Sequence, residues 1–220
     1  MIQLKIFSKI QEQLKKEKFV SGIMLMGSVA QNNASAESDL DIMVLSNENS
    51  FKTEICDGVL VEYIFTTFDT RLQKLINNEM EVYHFINNKI IYDKDNQLHY
   101  LMEIAIEKYN NFTTEKEIKA QIYHWLFSTK IKLLSAIKSS NILKQNYIVS
   151  TNSWKIIEAI YAINDKPVPP SSAVIRLCDK LENIPYKNWF ETLFIGNDNS
   201  KVNAMINIIE WILPQLNFSL

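Results

Sequence analysis

Two runs, Leu25-Met26-Gly27-Ser28-Val29-Ala30 and Ser38-Asp39-Leu40-Asp41-Ile42-Met43-Val44, decide how this chain is read. The first closes an apolar strand, Val20 to Met26, at Gly27-Ser28. After a polar loop, the second opens a new strand, Leu40 to Leu45, on two aspartates separated by one leucine. Residues two apart in a strand share a face, so Asp39 and Asp41 present their carboxylates together while Leu40 and Ile42 turn to the core. Neighbouring carboxylates repel, and the pairing costs free energy unless a cation lies between them. Hard oxygen donors favour Mg²⁺, whose remaining positions go to water or phosphate. Glycine at a strand end lets the backbone approach a ligand closely, and its amide and the serine hydroxyl can hold phosphate oxygens.

A further strand, Val59 to Thr67, carries Glu62 between Val61 and Tyr63. A carboxylate on a strand that reads as buried, with no basic residue nearby in sequence, calls for a metal or a proton-transfer role.

Working outward, Ile2, Ile6, Ile10 and Leu14 form one stripe of an amphipathic helix over residues 2–17. Phe68 to Asn78 reads as helical, followed by a weaker stretch to Ile86. Lys89 to Tyr92 is a short apolar run before the turn Asp93-Lys94-Asp95-Asn96, and another helix runs to about Tyr109. After Asn110-Asn111 the character changes. Thr114-Glu115-Lys116-Glu117 fits a capping box, and Ile118, Ile122, Trp125, Thr129, Leu133 and Ile137 mark a long helix beyond it. Further helices fit residues 151–163, 172–182, 187–194 and 201–213. Pro167, Pro169, Pro170 and Pro185 fall in the connections and Pro214 at the last helix end, where a missing amide donor matters least. The expected organisation is an α+β domain with a small mixed sheet at 1–112, followed by an all-helical domain at 113–220.

The chain has 220 residues and a net charge of −2, which argues against a partner of long nucleic acid. Residues 1–112 carry a net −5 and residues 113–220 a net +3, so the acidic half is the one holding the carboxylate cluster. No run of apolar residues is long enough for a membrane helix. The N-terminus mixes charged and apolar residues without a signal peptide's continuous apolar centre, which predicts a cytoplasmic protein. Cys56 and Cys178 match no metal spacing and read as buried, reduced thiols. His84, His99 and His124 read as surface or half-buried histidines. Trp125, Trp154, Trp189 and Trp211 read as helix core, with one of them free to stack on a base or sugar.

Gly27-Ser28, the spaced pair Asp39 and Asp41, and the later isolated Glu62 together resemble the DNA polymerase β-like nucleotidyltransferase superfamily. The plan of a small nucleotidyltransferase domain followed by a helical domain is similar to the antibiotic nucleotidyltransferases of aminoglycoside and lincosamide type. The resemblance implies that Asp39, Asp41 and Glu62 are catalytic and hold Mg²⁺, two ions in all, with Glu62 either a ligand or the base. It implies that Gly27, Ser28 and Ser38 bind nucleotide, with ATP or another nucleoside triphosphate as co-substrate and a small-molecule hydroxyl as acceptor. Relatives often place a basic residue soon after Gly-Ser, whereas this chain has Val29-Ala30-Gln31-Asn32-Asn33. Lys130 and Lys132 are then candidates for the phosphates, against the plainer reading of solvated lysines. Glu115, Glu117 and Glu158 are candidates for a helical-domain carboxylate, against surface or capping roles. Two other functions fit the same fold: AMP transfer to a protein side chain, as in toxin–antitoxin systems, and a non-catalytic nucleotide sensor. An oligomer is compatible with the sequence.

Overall fold

The computed structural model describes residues 1–216. The chain divides into two compact units, Met1–Asn110 and Asn111–Leu220. It is an α+β domain followed by a helical one. Among the described residues, no helix is long and apolar enough to cross a membrane.

The first unit is built on a five-stranded mixed sheet in the order β3-β4-β2-β1-β5. Its strands are β1 Gly22–Leu25, β2 Leu40–Leu45, β3 Ser50–Cys56, β4 Val59–Thr66 and β5 Lys89–Asp93. β2 and β4 run parallel and the other pairs antiparallel. Its helices are α1 Ile2–Leu14, α2 Gly27–Ala30, α3 Phe68–Asn77, α4 Tyr83–Ile86 and α5 Gln97–Asn110, with a 3₁₀ turn at Glu79–Val82.

Strand alternation splits the sheet into two faces. Ile23, Leu25, Leu40, Ile42, Val44, Val61 and Tyr63 form one apolar layer, and Ile6, Phe7 and Ile10 of α1 pack in the same cluster. The opposite face carries Met24 of β1 and Met43 and Leu45 of β2, all fully buried, and then Asp41 farther along β2 with Glu62 beside it on β4. Burial of the apolar side chains, roughly 1.5–3 kcal/mol each for a Leu or Ile, stabilises this sheet. Arg71 and Glu81 form a buried ion pair at 2.6 Å, and His84 Nδ1 lies 3.1 Å from the other oxygen of Glu81.

β2 starts and ends where the sequence predicts, and the last core strand stops at Thr66, one residue short of the expected end. β3 is absent from the sequence reading. It is an edge strand exposed on most of its residues, so it shows no alternation of apolar and polar positions. Its hairpin turn does leave a mark, because Asp57 and Gly58 both adopt positive φ, 49° and 82°, as the Asp-Gly pair of such turns does. Cys56 is half-buried at the end of β3 rather than buried, and both cysteines are free.

The second unit contains α6 Lys116–Lys138, α7 Ile142–Ile163, α8 Ser171–Leu177, α9 Trp189–Ile195 and α10 Asp198–Gln215, with a 3₁₀ turn at Cys178–Lys180. No strand occurs among its described residues. The core joins Ile122, Leu126 and Leu133 of α6 with Ile156 and Ile160 of α7 and Met205, Ile208 and Ile212 of α10. The expected capping box does not form: Glu115 is the N-cap and makes no side-chain cap bond. Asp165 anchors the helix start instead, accepting from the Thr114 amide at 3.0 Å and pairing with Lys119 at 2.9 Å. The buried stripe of α6 is also rotated from the expected one. Leu126 and Ala136 are buried, whereas Ile118, Trp125 and Ile137 are exposed. α7 begins nine residues earlier than 151, where Asn141 caps it by accepting from the Lys144 amide at 3.0 Å. Pro214 lies within the last turn of α10 rather than after it. Trp189 is core as expected, but Trp125 and Trp154 are exposed.

Candidate active site

β2 and β4 pair in parallel with Asp41 directly opposite Glu62. Asp39 lies two residues before Asp41, just ahead of the strand, and faces the same way. The result is a cluster in which one carboxylate oxygen from each of Asp39, Asp41 and Glu62 lies within 4.8 Å of the other two. Partial burial, together with the charges of Asp39 and Glu62, pushes the Asp41 carboxyl up to about 6. A divalent cation relieves that strain, because it replaces repulsion among three carboxylates with attraction to all of them. The donor set is all oxygen, which suits Mg²⁺ or Mn²⁺.

The turn after β1 is shaped around the same carboxylate. Gly27 has φ +65°, and a β-carbon on it would lie 2.1 Å from Asp41 Oδ2. Glycine is required here twice over, for the backbone conformation and for the room. The Met26 amide donates to the Asp41 carbonyl at 2.9 Å, tying the turn to β2. The Ser28 hydroxyl, next in sequence to Gly27, is buried and has no hydrogen-bond partner among the described residues, an orphaned polar atom. Carboxylates, cradle and orphaned hydroxyl all fit a metal-bound phosphate.

Three residues that sequence reasoning missed hold this corner in place. Asn88 accepts from the Gly27 amide at 3.2 Å through Oδ1, and its Nδ2 donates to the His84 carbonyl at 2.8 Å. The Gly27 amide is therefore engaged, and Ser28 offers the free donor. Gln3, fully buried on α1, donates through Nε2 to the Ser35 carbonyl at 2.9 Å and the Ser38 carbonyl at 3.1 Å, fixing the loop that leads into Asp39. A signal was available, since Gln3 shares the apolar face of Ile6, Phe7 and Ile10. Lys89 opens β5 opposite Leu25 and reaches Asn32 Oδ1 at 3.2 Å. The loop after Gly-Ser lacks a basic residue in sequence, and Lys89 brings one to it in space.

The other expected residues are placed as follows. The Ser38 hydroxyl accepts from the Ser35 amide at 2.9 Å within its own loop. Lys130 pairs with Glu210 at 2.7 Å within the helical unit, and Lys132 has no acidic partner among the described residues. Glu115 and Glu117 sit at the start of α6, and Glu158 pairs with Lys155.

The family model described as polymerase beta, nucleotidyltransferase matches residues 8–97, which include every strand and all three carboxylates. The first unit is thus a nucleotidyltransferase-fold domain, and the fold supports nucleotidyl transfer as the general class of activity. Among solved structures, a nucleotidyltransferase-like protein from Exiguobacterium sibiricum 255-15 is similar over 97% of this chain and 75% of its own, with 13% identity and a TM-score of 0.48. No curated protein matches the chain.

Proposed function

We propose that this protein is a metal-dependent nucleotidyltransferase that moves a nucleoside monophosphate, AMP from ATP in the leading case, onto a hydroxyl of a small molecule. The observation that carries the reading is the carboxylate cluster closed by the Gly27 turn. Asp39, Asp41 and Glu62 would hold Mg²⁺, which when bound neutralises the triphosphate and lowers the pKa of the attacking hydroxyl. Ser28 donates its free hydroxyl to a phosphate oxygen, and Lys89 adds a positive charge at the mouth of the turn. Glu62, opposite Asp41, serves as a ligand or takes the acceptor proton. The acceptor oxygen forms a bond to the α-phosphorus, the bond from that phosphorus to pyrophosphate breaks, and the proton leaves to Glu62 or water.

An aminoglycoside-like antibiotic is the acceptor suggested by the resemblance, and the net +3 of residues 113–220 weighs against a strongly cationic acceptor held there. The test is pyrophosphate release from ATP, GTP, CTP and UTP against a panel of antibiotics and cell extract, with Asp41→Asn as the blank. Release dependent on both acceptor and Asp41 supports transfer to a small molecule, and label appearing on protein instead points to the protein-modifying alternative. Tight nucleotide binding with no release under any condition contradicts the enzyme reading and favours a sensor.

A further inference from the structure

The helical unit contains a pocket of about 240 Å³ between α6 and α7, lined chiefly by Trp125, Ser128 and Lys132 on one side and Tyr147, Thr151 and Asn152 on the other. The spacing explains the convergence, because residues three and four apart share one face of a helix. The volume falls below the roughly 300–1,000 Å³ of drug-sized sites, so it suits a single ring system.

Its floor is rigid. Trp125 is 55% exposed, an unusual position for so large an apolar side chain, yet its ring is fixed. The indole Nε1 donates to Asn152 Oδ1 at 2.8 Å, and the Thr129 hydroxyl donates to the same oxygen at 3.1 Å. Asn152 is held in turn by its Nδ2 bond to the Ile148 carbonyl at 2.8 Å. Lys155 lies over the Trp125 ring, 5.5 Å from its centroid, but is not part of the pocket lining and already pairs with Glu158. An aromatic plate held in one rotamer gives up little entropy when a ring stacks on it.

The polar lining has one sign. Among the described residues, no carboxylate lines the pocket and Lys132 has no acidic partner. Ser128, one helical turn before Lys132, makes no side-chain hydrogen bond among the described residues, so its hydroxyl can donate. We propose that this pocket binds a small molecule with a flat aromatic ring and an anionic group. The ring stacks on Trp125, and the anion is held by Lys132 and Ser128. Nucleoside monophosphates and aromatic carboxylates share this chemistry. The inference does not depend on the transfer reading, because binding here needs neither metal nor the three carboxylates.

All four tryptophans lie in the second unit, so their indole NMR signals are reporters within it. The experiment uses the full chain with ¹⁵N-labelled indoles in EDTA, the Trp125 signal being assigned from Trp125→Phe. The probes are AMP, indole-3-acetate, adenosine and inorganic phosphate. AMP or indole-3-acetate should shift the Trp125 signal with saturation, and adenosine and phosphate should bind at least tenfold more weakly. Response to AMP alone identifies a nucleotide site, and response to indole-3-acetate alone an aromatic-acid site. Lys132→Gln, an exposed position that leaves the core intact, should weaken binding about tenfold, the scale of one charge-assisted hydrogen bond. The proposal is overturned if neither anionic probe moves the Trp125 signal at millimolar concentration. Adenosine binding as well as AMP, or Lys132→Gln binding like wild type, overturns it equally.

Discussion

Leu40 and Asp41 are neighbours on β2 and face opposite ways. Leu40 is fully buried in the layer that includes α1. Asp41 lies on the face whose far end is closed by Met24, Met43 and Leu45 but whose near end carries three crowded carboxylates. The same strand therefore does two jobs with its two faces, one that stabilises and one that is held under electrostatic strain. Substitutions on the two faces should fail in different ways.

The largest effect is expected at the carboxylates. Asp39→Asn or Asp41→Asn removes an anionic donor and should lower transfer by about 10³-fold or more, the scale of losing preorganised transition-state electrostatics. The metal-free fold should survive both changes, as circular dichroism and thermal melts would check. Gly27→Ala should be nearly as severe, since its β-carbon would collide with Asp41 Oδ2 and the backbone sits at φ +65°. Activity and metal affinity should both fall, and a variant with wild-type kinetics would show that the cradle is dispensable.

Leu40→Ala tests the other face. It should lower stability by about 2–5 kcal/mol through the lost burial and the cavity left behind, while any protein that stays folded keeps its affinity for metal. Urea melts paired with metal titration separate these outcomes. Glu81→Gln makes a similar comparison away from the site. Leaving Arg71 buried and unpaired should cost about 3–5 kcal/mol, and a melt unchanged from wild type would contradict the buried ion pair.

A smaller effect concerns acid. The Asp41 carboxyl is raised from its ordinary 3.8 to about 6, so between those values the folded protein binds more protons than the unfolded chain. Its contribution to stability is therefore full below about pH 4 and is lost as pH rises through about 6. In EDTA, wild type should lose about 1–2 kcal/mol relative to Asp41→Asn between pH 4.5 and 7, a figure reduced for solvent screening. Added Mg²⁺ should reverse the trend, because it binds the deprotonated form. Parallel pH slopes for the two proteins would contradict the strained carboxylate. Smallest of all, Lys89→Ala should raise the KM for nucleotide several-fold with little change in kcat, as expected for one solvent-exposed charge.

The site was legible in the sequence wherever strand alternation and an unusual residue coincided. Gly27-Ser28 ends an apolar run, and Asp39, Asp41 and Glu62 interrupt strands that are otherwise apolar. What escaped depends on contacts distant in sequence. Asn88 and Lys89 reach the Gly27 turn only because β5 pairs with β1, and neither stands in a recognisable motif. Gln3 crosses 35 residues to hold the Ser38 carbonyl. β3 was missed because an exposed edge strand has no buried side to impose a period, although Asp57-Gly58 announced its turn. In α6 the apolar residues run almost all the way round, so spacing alone did not select Leu126 over Trp125 as the buried one. That same misreading concealed the α6–α7 pocket.

The most direct test of the carboxylate cluster is Mn²⁺ binding, followed by electron paramagnetic resonance in the presence of a non-hydrolysable ATP analogue. Wild type should bind Mn²⁺ with an affinity that the analogue strengthens, and Asp41→Asn, still folded, should lose both the binding and the strengthening. Equal Mn²⁺ affinity in the two proteins would mean that Asp39, Asp41 and Glu62 do not form a metal site.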